Sequence, residues 1–174
     1  MSKLVIRPAT AADIPAITAI YEPAVLYGTA TFELDPPSEA EMLRRLRDIV
    51  AAGFPYLVSE RADQVVGYAY VNHYRTRPAY RFVVENSVYV TPNAQGEGIG
   101  RALLDALILA SEERGFRQMI AVIGDSRQFG SIALHRSAGF VFAGTLHSVG
   151  FKFGRWIDSV QMQRALGPGD TTSA

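Results

Sequence analysis

An apolar β-type run, Val88, Tyr89 and Val90, is followed closely by Gln95, Gly96, Glu97, Gly98, Ile99, Gly100 and Arg101, and then by a long helix-forming stretch. Three alternating glycines let the backbone come close to a bulky group. A helix start at that point presents main-chain N–H donors without intrahelical partners, at the positive end of the helix. That chemistry is anion binding, with phosphate the usual guest. A dinucleotide fingerprint would need glycine at 101, where Arg101 stands, and no Gly-Lys-Ser/Thr tripeptide of a P-loop occurs. Two other groups could do chemistry. Glu85 sits three residues ahead of the run and alternates with Ser87 and Tyr89 on one strand face. A carboxylate on a half-buried strand has its pKa raised towards the value a general base needs. Arg75 and Arg77, two residues apart, offer planar forks suited to carboxylate or phosphinate oxygens.

These groups need a scaffold, and the chain has room for one. Its 174 residues predict a single domain over 1–166, with a flexible tail at 167–174. Apolar residues make up 48%, which marks an ordered chain. Lys+Arg and Asp+Glu are both 17, so no net field favours nucleic acid or an anionic membrane. The absence of cysteine excludes disulfides, thiolate metal sites and a cysteine nucleophile. The N-terminal residues lack the apolar core of a signal peptide, and no window reaches 18 apolar residues, so a cytoplasmic location is expected.

The pattern predicts a strand at 4–7, then a helix capped by Thr10 with Ile14, Ile17, Ile20 and Tyr21 on one face. A loop at 27–38 leads to a second helix, for which Ser38 and Glu41 form a capping box. Strands are expected at 56–60 and 65–72 as a hairpin, and at 82–90 after a polar, Arg-rich connection. The glycine loop opens a third helix that stops at Gly115; a strand follows at 119–123 and a helix at 131–138. Strands at 140–147 and 151–163 close the chain, and the whole order suggests an α/β sandwich.

Gln95-x-x-Gly98-x-Gly100 followed by Arg101 is similar to the Gln/Arg-x-x-Gly-x-Gly/Ala signature of the GNAT acetyltransferase superfamily. Within that superfamily the chain most resembles the phosphinothricin and methionine sulfoximine N-acetyltransferases. The residues concerned are the stretches 74–80, 84–90 and 131–135, Ala138-Gly139-Phe140, and the late stretch 150–158. The resemblance implies a mixed, mostly antiparallel central sheet with helices on both faces. It implies acetyl-CoA as co-substrate, with the diphosphate on main-chain N–H groups of 96–101 and the pantetheine arm along Val88, Tyr89 and Val90. Gln128 stands where relatives commonly place an Asn that contacts the arm, and Ser137 matches a second position beside it. The acceptor is expected to be a small amino-acid-like amine, held by Phe32, Arg75, Thr76, Arg77, Glu85, Asn86 and Ser87. Glu33, Lys152 and Trp156 are further candidate pocket walls, and Asp158 an ion-pair partner for a nearby Arg or Lys.

Direct acetyl transfer requires the amine to lose a proton, and Glu85 is the candidate base. His135 shares a helix face with Ser131, Leu134 and Ala138. It occupies the place where many GNAT enzymes carry a Tyr that protonates the departing thiolate; acid catalysis and a buried structural role are both open to it. The resemblance further implies a homodimer, without metal, nucleic acid or membrane. Two alternatives stand beside this reading. One is acetylation of a protein N-terminus, a lysine or a polyamine; the other is a CoA-binding regulatory domain without turnover.

Overall fold

The computed structural model describes residues 3–173. Its core is one seven-stranded sheet in the order β1-β2-β3-β4-β5-β7-β6, with β1 Val5–Pro8, β2 Tyr56–Arg61, β3 Gln64–His73, β4 Val83–Val90, β5 Gln118–Gly124, β6 Val141–Lys152 and β7 Arg155–Ala165. Every neighbouring pair is antiparallel except β4 and β5. The helices are α1 Ile14–Leu26, α2 Glu39–Ala51, α3 Ile99–Glu112 and α4 Phe129–Ser137.

Each helix buries the stripe its sequence carries. In α1 the buried residues are Ile14, Ile17, Ile20, Tyr21 and Val25, and in α2 they are Met42, Leu46 and Ile49. Ser38 caps α2 by accepting from the Glu41 N–H. The expected box is only half formed, because the Glu41 carboxylate is drawn away by Arg44 and Arg45 on the next turn. In α3, Leu103, Leu104 and Leu107 have no exposed surface. Truncating one buried leucine to alanine costs about 2–5 kcal/mol, so the N-terminus of α3 is fixed firmly against the sheet. α1 packs on one face of the sheet, where Tyr56, Tyr68, Tyr70 and Tyr89 stack and Tyr21 meets Tyr89 edge-on at 4.9 Å. α4 lies on the other, where His135 reaches Asn86; on that side Val90 faces Gly100 of α3.

The hairpin between β2 and β3 turns through Ala62 and Asp63, both at positive φ (51° and 59°), the signature of a type I′ turn. The last hairpin differs from expectation. Its turn lies at Phe153 and Gly154, and the stretch at 148–150, expected as a break, is part of a bulge that lets β6 run on to Lys152. The C-terminal residues lie against the body of the protein. Leu166 is fully buried, and the Arg117 guanidinium donates to Thr172 and Ser173.

One feature of the sheet positions the site. β4 and β5 pair only from Val83↔Gln118 to Asn86↔Ala121. Past Asn86 the two strands part, and residues 87–90 of β4 face a gap.

Candidate active site

The gap between β4 and β5 opens into a groove lined by Asn86, Ser87, Val88, Tyr89, Val90 and, across it, Val122 and Ile123. It continues into a cavity of about 590 Å³ bounded by Gln95, Gly96, Gly98, Gly100 and Arg101 on one side and Gln128 and Ser137 on the other. Gly96 and Gly98 hold φ of +79° and +83°, which turn the chain out of its short 3-10 turn and into α3, with Gly98 as the N-cap. A Cβ on Gly98 would meet no protein atom within 4 Å, so its Cα faces open space. That space, beside the unpartnered N–H groups of a 14-residue helix, fits an anion.

Several residues expected around the donor have side chains engaged elsewhere in the fold. Ile99 is buried in the core, and the Tyr89 ring belongs to the tyrosine stack on the opposite face. Glu97 pairs with Arg61 at the surface. Gln95 donates from its amide to the Val90 carbonyl at 3.2 Å, tying the loop to the end of β4. The Arg101 guanidinium is committed to Asp105 at 2.8 Å and to the carbonyl of Ser137 at 2.7 Å. It therefore clamps α3 to the end of α4. Gln128 donates to Thr29 Oγ1 at 3.1 Å, joining α4 to the loop after α1 across the groove.

A second cleft lies on the other side, lined by Phe32, Arg75, Glu85, Val122, Phe151 and Lys152 among others. Its volume of about 740 Å³ suits a small-molecule ligand. Val122 lines both this cleft and the groove, so the two meet at β5. Burial pushes the Glu85 carboxyl above its ordinary value, and no cation among the described residues pairs with it. Glu85, Arg75 and Phe32 are thus brought together as expected. Thr76 and Arg77 lie outside the cleft, and Asn86 and Ser87 line the groove between β4 and β5 instead. Trp156 is exposed, packs edge-on against Phe151 at 5.2 Å and lines neither space. Asp158 takes hydrogen bonds from Ser126 at 2.8 Å and the Ser148 N–H at 3.0 Å rather than from an Arg or Lys.

Glu85 and His135 serve opposite sides of β4. His135 is 4% exposed and touches Asn86, whose side chain alternates with that of Glu85. The His135 Nδ1 lies 2.8 Å from the Ser131 carbonyl, which can only accept, so Nδ1 carries the proton. The Asn86 amide then donates to Nε2 at 2.9 Å. Burial lowers the imidazole pKa, in keeping with a neutral ring. With its nitrogen used in this way, the Asn86 amide has a buried oxygen, Oδ1, that meets no partner among the described residues.

An ion cluster around a buried carboxylate was not foreseen. Asp125, 4% exposed, accepts from Thr29 at 2.9 Å and from Arg155 at 2.5 Å, and the Arg127 N–H approaches at 3.1 Å. Burial opposes ionisation of this carboxyl, but these donors outweigh it and hold its pKa far below the carboxylate range. The cluster pins the 27–38 loop and the last hairpin to the end of β5. Among the described residues no group of three acidic, His or Cys side chains could hold a metal ion, and no helix is long and apolar enough to cross a membrane.

Comparison with known proteins agrees with this geometry. Residues 6–161 match the family model described as an acetyltransferase (GNAT) domain. The phosphinothricin N-acetyltransferase of Alcaligenes faecalis is 56% identical over 92% of this chain and 81% of that protein. The L-methionine sulfoximine/L-methionine sulfone acetyltransferase of Pseudomonas aeruginosa is 41% identical over 94% of this chain and 95% of its own. A crystal structure of a GNAT superfamily phosphinothricin acetyltransferase from Sinorhizobium meliloti in complex with AcCoA superposes with a TM-score of 0.95. It is 50% identical and covers 99% of this chain and 93% of that one. The split sheet, the glycine-turned helix start and these likenesses lead to one conclusion: this chain belongs to the GNAT family of acetyl-CoA-dependent acetyltransferases.

Proposed function

We propose that this chain moves the acetyl group of acetyl-CoA onto the amine of a small amino-acid-like acceptor. Phosphinothricin, methionine sulfoximine and methionine sulfone are the type, and transfer is direct within a ternary complex. The observation that carries this reading is Glu85: a desolvated carboxylate, without a cationic partner among the described residues, in a cleft that meets the donor groove at Val122. The thioester, when bound, supplies the activated acyl group. The 96–101 loop receives the diphosphate, and the open edge of β4 at 87–90 receives the amide-bearing arm as an added strand would. Glu85 takes one proton from the acceptor's ammonium, and Arg75 at the cleft mouth steers an anionic acceptor. The free amine then bonds to the acetyl carbon as the carbon–sulfur bond breaks, and its second proton leaves with the sulfur as the coenzyme A thiol.

His135 acts here as a positioning residue. Its Nε2 accepts from Asn86 and has no proton to give, so it fixes the Asn86 amide in the groove wall. We assign the enzyme to the cytoplasm, where the acyl donor is met, and propose a homodimer. The dimer has support in the outer strand β6, which exposes Val141, Phe142, Leu146, Val149 and Phe151.

A thiol-release assay with acetyl-CoA tests the reading. The acceptor panel is phosphinothricin, methionine sulfoximine, methionine sulfone, ordinary amino acids, a polyamine and a peptide N-terminus. Release is expected with one or more of the first three. Release with the peptide or polyamine alone would move the acceptor class, and none at all would favour a regulatory domain.

A further inference from the structure

Lys152 ends β6 and is only 3% exposed. Its Nζ donates to the Thr31 carbonyl at 3.1 Å and lies 5.1 Å from the centroid of the Phe153 ring. An ammonium has three donors, and among the described residues no carboxylate forms an ion pair with this one. Glu33, the acid whose field reaches it, is bound instead to Arg45 at 2.6 Å. A buried charge without a counter-ion is unfavourable, and burial accordingly lowers the Lys152 pKa. An anion arriving beside it would restore the charge.

The place is open to such an anion. Lys152 lines the cleft that holds Glu85, Arg75 and Phe32. Gly150, two residues earlier, lies directly under the Phe32 ring; a Cβ there would come within 2.2 Å of it. The 27–38 loop is thereby seated on β6, and the same loop supplies the carbonyl that holds Nζ. Tyr21, whose hydroxyl meets Thr31 Oγ1 at 2.8 Å, ties that loop to α1. The ammonium is therefore fixed in position before any acceptor enters.

We infer that Lys152 is the specificity-determining anchor for a carboxylate on the acceptor. An α-amino acid would set its carboxylate on Nζ and its amine towards Glu85. Arg75, exposed at the mouth, would then meet oxygens at the far end of the side chain. This inference rests on the acceptor class proposed above and explains why an amino acid, rather than any amine, would be chosen.

The test compares methionine sulfone with its carboxamide, which keeps the amine and loses the charge, as acceptors for the wild type and for Lys152→Met. The wild type should prefer the acid by tenfold or more in kcat/KM. In Lys152→Met the KM for the acid should rise roughly tenfold to a hundredfold, the range for a lost bond to a charged group. The carboxamide and the KM for acetyl-CoA should change less than about twofold. Lys152→Arg should keep part of the preference, and Lys152→Gln carries the test if the methionine variant does not fold. A folded variant lacking the ammonium that retains the wild-type preference would overturn the inference. So would a wild type that uses acid and carboxamide equally well, although the acetyltransferase reading would then stand. Where the wild type acetylates neither, the pair is remade from phosphinothricin or methionine sulfoximine, and protein that acetylates none of these acids or their carboxamides would remove both.

Discussion

Replacing Gly98 with alanine adds one carbon at the position where the diphosphate is expected. Gly98 is the N-cap of α3 and holds φ at +83°. For an L-residue the left-handed region costs roughly 1–2 kcal/mol. In a domain of this size each kcal/mol lowers Tm by about 2–4 °C, so a fall of about 2–8 °C is expected. The new Cβ meets no protein atom within 4 Å, and the fold should therefore survive. What it occupies is the space in front of the helix N–H groups. Forcing the anion back would weaken one or two charge-assisted bonds, worth about 1.5–3 kcal/mol each. That corresponds to a rise in the acetyl-CoA Kd of about tenfold to well over a hundredfold. Gly53 supplies a matched control: its φ is +82°, a Cβ there also meets nothing within 4 Å, and it follows α2 outside the groove. Gly53→Ala should lose similar stability and none of the affinity. Calorimetric titration of both variants with acetyl-CoA decides the matter. Equal affinity in the two would refute the loop as the diphosphate site.

Glu85→Gln should lower kcat by about 10²–10⁴-fold, the usual worth of a general base, while the Kd for acetyl-CoA is unchanged; unaltered turnover would remove the base. Because burial raises the Glu85 pKa, the acid limb of kcat/KM should fall at a pH above the ordinary carboxylate range, and Glu85→Gln should lose that limb. Arg75→Ala should raise KM for an anionic acceptor far more than KM for acetyl-CoA, and equal effects would dismiss the role of Arg75 in receiving the acceptor. The Arg7 guanidinium beside Asp13 holds its carboxyl down at about 2 against an ordinary 3.8. A depressed folded pKa gives stability that is present above about pH 4 and lost as pH falls towards 2; the shift is worth about 2 kcal/mol. Urea midpoints at pH 6 and pH 2.5 should therefore differ less in Asp13→Asn than in the wild type.

Much of the geometry of the candidate donor site was legible in the sequence because it is local. A helix start, its glycines and the strand before it lie within fifteen residues, and period alone sets their order. Buried stripes in α1, α2 and α3 followed from spacing in the same way. The acceptor side was less legible. Alternation put Glu85 on one face of β4, and the same rule should have sent Asn86 to the other, away from the acceptor. His135 could be placed on a helix face, yet its partner lies 49 residues away and no local pattern marks the pair. Lys152 is expected only as a pocket wall, and nothing local marks its burial, which follows from Phe32, in a loop at the other end of the chain, lying on Gly150. Asp125 is similar: Thr29 and Arg155, which hold it, are neighbours only after folding. The misplaced last turn has a plainer cause. Glycine at 150 marked a turn by composition, whereas the backbone turns at Phe153 and Gly154 and spends Gly150 on a close approach.

A crystal structure of the protein grown with coenzyme A would be the most direct check. The diphosphate oxygens should lie at hydrogen-bond distance, about 2.7–3.2 Å, from main-chain nitrogens of 96–101. The arm should run along 87–90 and bring the thiol to the parting of β4 and β5, next to Glu85. Ligand density bound anywhere else on the molecule, with that parting left empty, would contradict the account.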